Sequence, residues 1–335
     1  MDLKGKSDEA IEEAATFLID TMDIHDLYLV LSWSDDTGTV AERGKLRAAM
    51  FRQGFLQKSL ARFLARGDNN NLDKRWLLIY LLFGEFLEQR RMLFACPGLM
   101  EAVIDALQND PECWSDAVAL LWGILEDPVQ AARYAHLAPF FLDDVDEAEG
   151  DSEQALGCVA LLCRGAPLAV AAQEEVVTAL GLAVHMFVSA MKAFQAAIGA
   201  CHLFLATEAP EHLEIVQSFL EGSQERLLKL AAVLQQQERR SEYRWIALEW
   251  ATDLLGAAEP LAVLLGLLAM THLLQNPTNL PLFSDSAWET LVALQHHPDG
   301  HVRALWTLVL PFLKARPYQV PRLQLLIELQ MRWRK

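Results

Sequence analysis

A chain of 335 residues, 53% of them apolar and with a formal net charge of −17, is long enough to bury a large core and too hydrophobic to stay unfolded. Its 17 glycines, 13 prolines and five cysteines exclude collagen-like and disulfide-dense classes. The acid excess argues against the dominantly basic surface that phosphate contacts require, so no nucleic-acid partner is expected.

The first predicted element is an N-terminal helix, in which Ile11, Ala14, Ala15, Leu18 and Met22 fall on one stripe. Carboxylates scattered through it are incompatible with the apolar core of a signal peptide. A D-x-T-G-T string follows the apolar run LYLVLS and begins at Asp35. In aspartyl-phosphate enzymes such an Asp is the nucleophile. That chemistry needs it at the end of a parallel strand, with a lysine, further carboxylates and Mg²⁺ brought in by later strands. No later alternation of strand and helix is visible, so the string reads as a surface turn capping the next helix. An enzyme built on Asp35 is the remote alternative.

Residues 43–91 carry eleven Lys and Arg against four acids. If 43–66 is one helix, Lys58, Arg62 and Arg66 lie one above another, with Arg43 and Arg47 close to the same stripe. That stripe is either a site for an acidic partner or an ordinary solvated face. Beyond it, turn clusters punctuate the chain at CPG (96–98), NDPE (109–112), EDP (126–128), 143–153, EAPE (208–211), QNP (275–277) and HHPDG (296–300). SDDTG (34–38) and GDNNN (67–71) do the same earlier. The segments between them, mostly about 12–25 residues, suit helices joined by short loops. Two-residue alternation is scarce, and an all-α fold is expected.

The middle of the chain is acidic: 101–238 holds 22 Asp and Glu against five Lys and Arg. Asp143, Asp144, Asp146, Glu147 and Glu149 crowd one loop. Its register fails as an EF-hand, because counting from Asp144 puts Glu149 where glycine is needed and Ala155 where the bidentate glutamate belongs. The loop reads as a solvated contact element which, with Glu174 and Glu175, forms a candidate surface for a basic partner segment. Cys96, Cys113, Cys158, Cys163 and Cys201 form no C-x-x-C pair and sit among apolar neighbours, which predicts buried thiols in a reducing compartment. His185 and His202 lie in apolar helices and read as core residues.

The most apolar stretch, 254–274, is interrupted by Glu259, Pro260 and His272. The uninterrupted run left, Leu261–Thr271, is too short to span a bilayer, which takes about 20 apolar residues, and the stretch reads as a buried helix. No membrane span is expected, and the expected location is cytoplasmic, with nuclear as the alternative. His296, His297, Asp299 and His301 share one turn, but consecutive histidines on a short loop do not converge into a tetrahedral zinc site. No phosphate-binding, dinucleotide, zinc-protease or nucleophile-elbow motif is present, so no catalytic residue, metal or cofactor is assigned.

Two stretches look alike. ALQNDPE (106–112) precedes ALLW (119–122), and ALQHHPD (293–299) precedes ALW (304–306). Each reads as a helix, a Pro/acid turn and a second apolar helix with a Trp near its middle. Residues 98–128 and 284–313 resemble the second and third helices of armadillo repeats, and NPTNLPLFSDSAWETLVAL resembles a repeat junction. The resemblance implies a right-handed α-solenoid of stacked armadillo/HEAT-like helical hairpins. Residues 1–95 would form an N-terminal cap or divergent repeats and 96–335 the array, or 1–335 would be one continuous domain. Armadillo proteins that grip extended peptides often carry Asn four residues after the Trp. Here Glu126, Leu254 and Leu310 follow Trp122, Trp250 and Trp306, so the three Trp are expected in the core. The implied function is a protein-binding scaffold or adaptor rather than an enzyme. The alternative is a regulatory or chaperone-cofactor subunit that clamps a folded partner domain.

Overall fold

The computed structural model describes residues 5–21, 40–55, 58, 98–109, 111, 114–142, 151–185, 189–222, 229–230, 248–274 and 283–311. Among the described residues every regular element is helical and there is no strand. The chain divides into two compact units, Met1–Arg133 and Tyr134–Lys335.

In the first unit, α1 (Asp8–Thr21) buries Ile11, Ala14, Ala15 and Leu18 of the predicted stripe, and Ile19 beside them, while Met22 lies outside the described residues. It packs against α2 (Val40–Arg52), which contributes Leu46, Ala49, Met50 and Phe51. The helix expected over 43–66 is interrupted. Gly54 adopts φ +76°, a left-handed conformation that a side chain resists, and its N–H turns back to the Phe51 carbonyl at 3.0 Å. Three basic residues of this region pair with α1. Lys45 Nζ lies 2.7 Å from Asp8, Arg52 pairs with Glu12, and Lys58 Nζ lies 3.4 Å from Asp20. Hydrogen bonds from Lys45 and Arg52 hold the Asp8 and Glu12 carboxyls below their ordinary range. Arg47 is buried rather than on the solvated stripe. Further along, α3 (Leu99–Asn109) packs on α4 (Trp114–Leu125), and α4 on the short α5 (Pro128–Arg133). Asp127 accepts the Val129 N–H at 2.9 Å, so the EDP turn starts α5 with a capping carboxylate and a proline.

The second unit opens with a 3₁₀ segment (Ala135–Phe141) and α6 (Asp151–Gly165). There follow α7 (Pro167–Ala171), α8 (Glu174–His185), α9 (Ala190–Thr207) and α10 (Pro210–Leu220). After these come α11 (Leu248–Leu255), α12 (Pro260–Leu273), α13 (Asp285–Ala293) and α14 (Gly300–Trp306). The core centres on α9, every residue of which from Met191 to Cys201 is buried. That is possible because α6, α7, α8 and α10 all pack on it, and a helix buried on every side needs neighbours on every side. The Ser189 hydroxyl caps its start by accepting the Met191 N–H at 3.2 Å.

The apolar stretch 254–274 divides at 256–259, and α12 is the buried helix within it. It packs on α11 so closely that a Cβ at Gly266 would stand 2.8 Å from the Ala251 carbonyl oxygen. Four helices begin with proline (α5, α7, α10 and α12), at the position whose N–H has no intrahelical partner anyway. No described helix is long and apolar enough to cross a membrane.

Candidate functional site

The corner between α9 and α10 faces the start of α8. At the end of α9, Glu208 adopts the left-handed φ of 56°, with its N–H on the Phe204 carbonyl at 2.7 Å. Two residues on, Pro210 starts α10. This tight reversal sets Thr207, Ala209, Glu211 and His212 opposite Ala171 at the end of α7 and Glu174, Val177 and Thr178 in the first turns of α8. Together they line a cleft of about 430 Å³, within the size range of small-ligand sites.

Hydrogen bonding decides what this cleft offers. The Thr207 hydroxyl donates to the Leu203 carbonyl at 2.8 Å. Its proton is thereby spent, so Thr207 Oγ1 accepts from His212 Nδ1 at 2.9 Å. This network assigns the proton to Nδ1 and leaves the lone pair on Nε2. His212 is only 3% exposed, and its Nε2 takes no hydrogen bond among the described residues. Burial holds the His212 imidazole below its ordinary pKa, against the pull of Glu211, so it is neutral at pH 7. The Thr178 hydroxyl likewise donates to the Glu174 backbone carbonyl at 2.8 Å. The side-chain groups left free to meet a ligand are therefore acceptors: two carboxylates and one imidazole nitrogen.

The surroundings have the same sign. Residues 171–222 contain six glutamates, Glu174, Glu175, Glu208, Glu211, Glu214 and Glu221, and all six are exposed. Lys192 is the one Lys or Arg in that segment and is 1% exposed.

Of the residues expected to contact a partner, Glu174 lines this cleft, and Glu175 stands exposed beside it in the first turn of α8. Asp143, Asp144, Asp146, Glu147 and Glu149 lie outside the described residues, as do Arg62, Arg66 and Asp35. Lys58 is exposed in the first unit and is partnered by Asp20. Thr207, Glu211 and His212 were not anticipated. The EAPE cluster signalled a turn but not what the turn would face.

The remaining expectations resolve individually. Cys158, Cys163 and Cys201 are buried thiols, and burial pushes all three up, Cys201 to about 12. Cys96 and Cys113 lie outside the described residues. Trp122, Trp250 and Trp306 are core residues, and Trp306 Nε1 donates to the Leu291 carbonyl at 2.6 Å. His185 is exposed at the end of α8, whereas His202 is largely buried. Asp299 caps α14 by accepting the His301 and Val302 N–H groups at 2.8 and 3.0 Å, and these bonds lower its pKa. Among the described residues no group of three His, Cys, Asp or Glu is placed to hold a metal ion.

No protein-family model matches the chain, and no curated protein matches it.

Proposed function

We propose that the chain is a helical-repeat scaffold whose second unit engages a basic segment of a protein partner through an acidic face. The observation that carries this reading is the charge sorting over 171–222, where every glutamate is exposed and the one lysine is buried. Clefts and faces of one sign raise the local concentration of oppositely charged partners and speed their encounter.

The repeat reading is supported by spacing. Pro128, Pro167 and Pro210 open helices at intervals of about 40 residues, the length of one armadillo or HEAT repeat. The succession of a short α7, a middle-length α8 and a long α9 matches the three helices of an armadillo repeat. A right-handed solenoid built this way would present successive helices to a partner along an extended surface.

Affinity capture with the full chain tests the proposal. Partners are expected to elute as salt rises, since exposed ion pairs are screened over about 8–10 Å at physiological ionic strength. They are also expected to be lost when Glu174, Glu175 and Glu211 are each changed to Lys. Capture that is insensitive to salt and survives this triple reversal rejects the acidic face.

A further inference from the structure

The cleft between α8 and the α9–α10 corner is chemically one-sided. Glu174 and Glu211 supply carboxylates, and the neutral His212 supplies a lone pair at Nε2. Both threonine protons are engaged by helix carbonyls. No Lys or Arg lines the cleft. Ala171, Val177 and Ala209 give it an apolar wall. A ligand that fits these side chains donates hydrogen bonds in several directions, carries positive charge and brings an aliphatic stem.

We propose that this cleft is an arginine socket, which takes the guanidinium of one arginine from the basic segment of a partner polypeptide. The guanidinium would donate to both carboxylates and to His212 Nε2, while its methylenes lie along Val177 and the two alanines. The proposal rests on the acidic-face reading and adds a specific anchor to it. Other classes fit less well. An anion meets two carboxylates and no cation. A metal ion finds no trio of ligands among the described residues. A lysine satisfies the charge, but its ammonium is a compact, strongly hydrated point charge. Guanidinium is a planar, weakly hydrated group with five fixed donors, suited to acceptors on more than one side.

His212 separates a socket from a merely acidic surface. Its Nδ1 is anchored to Thr207, so the ring cannot turn away or change tautomer without breaking that bond. A partner held only by long-range attraction to the glutamates would leave Nε2 untouched.

The test uses the full-length protein with ¹⁵N-labelled histidine and three blocked pentapeptides, Gly-Ser-X-Ser-Gly, in which X is arginine, lysine or citrulline. The His212 ring resonances are assigned by their loss in His212→Asn. Glu174→Gln and Glu211→Gln, both at exposed positions, are titrated in parallel. In the free protein, Nδ1 is expected to be the protonated nitrogen. The arginine peptide should shift Nε2 saturably, the lysine peptide should bind about tenfold more weakly, and citrulline should leave Nε2 unmoved. Each glutamine variant should weaken the arginine peptide by about tenfold, the loss of roughly one charge-assisted hydrogen bond.

An Nε2 resonance unmoved by the arginine peptide overturns the proposal, as does equal binding of lysine and arginine, or a proton found on Nε2 in the free protein. If Nε2 is unmoved while capture still depends on the glutamates, the socket fails and the acidic face stands. If Nε2 responds selectively to arginine while capture survives charge reversal, the cleft binds arginine but does not anchor the partner, and both the socket as a partner site and the acidic face are overturned.

Discussion

His202 lies on α9 with Nε2 shut off from water and no hydrogen-bond partner among the described residues. Burial, with the Arg164 charge beside it, pushes its imidazole down to about 4 from an ordinary 6.5. Between those values the unfolded chain binds a proton that the folded chain refuses. The stability His202 contributes as a neutral group is thus complete above pH 6.5 and falls away as pH drops toward 4. His212 is shifted in the same direction and adds to the slope. The lowered carboxyls of Asp8, Glu12 and Asp299 start from ordinary values of 3.8 to 4.5, so their losses fall in more acid solution. Urea unfolding at pH 7.0 and 5.0 should therefore show a drop of about 2 kcal/mol, less than the full shift would give because pH 5.0 still lies above the folded value. His202→Leu should remove most of it, and an unchanged slope in that variant would remove His202 as the cause. The sequence alone placed His202 and His185 together, both in apolar helices. Phase separates them: α8 buries Val176, Leu180, Ala183 and Val184, and His185 lies off that face at the helix end. The Trp and Cys positions were legible because their neighbours are apolar in sequence as well as in space. The cleft was not, because it joins residues from 171–178 with residues from 207–212. Its defining feature, a fixed histidine tautomer, depends on a threonine proton that no pattern of residues reveals.

Helices and their ends were the most readable level. Turn clusters containing proline mark real starts at Pro128 and Pro210, because the physics of an unpartnered N–H is local. The short α7 gave too few residues for periodicity to register. The spacing over 43–66 reads as one continuous helix because it is helical on both sides of Gly54, and the positive φ at Gly54 breaks that run. The basic excess of this region was legible as charge but not as pairing, since the α1 partners of Lys45, Arg52 and Lys58 are some 37 to 40 residues away in sequence. Packing distance is equally hidden. Gly266 lets α12 approach α11 until a Cβ would crowd the Ala251 carbonyl oxygen, a backbone atom that cannot swing aside. Gly266→Ala should push the two helices apart and cost about 1–3 kcal/mol in thermal or urea unfolding. Gly256→Ala is the matched control, for its Cβ would meet the Asp253 carbonyl at 3.8 Å, an ordinary contact. Equal stability of the two variants would mean that the hairpin is looser than its geometry indicates.

At the scale of the whole chain, the second unit has the means to fold by itself. The helices that enclose α9 all belong to it, α10 packs on α12, and α12 packs on α14. Arg164 of α6 and Asp253 of α11 meet at 2.7 Å, which ties the early and late parts of the unit together across 89 residues of sequence. A unit of about 200 residues buries roughly 70% of the surface its unfolded chain exposes, enough for independent stability. Residues 134–335 expressed alone should therefore keep their helical circular dichroism and unfold in one cooperative step. They should also reproduce the pH 7-to-5 loss assigned to His202, because every group that sets that shift is present. The Gly-Ser-Arg-Ser-Gly peptide should bind the fragment as it binds the full chain, since all the residues of the cleft lie within it. A fragment that is helical but melts without a cooperative transition would show that the packing around α9 needs the first unit to complete it. The autonomy argued from the contact pattern would then be wrong.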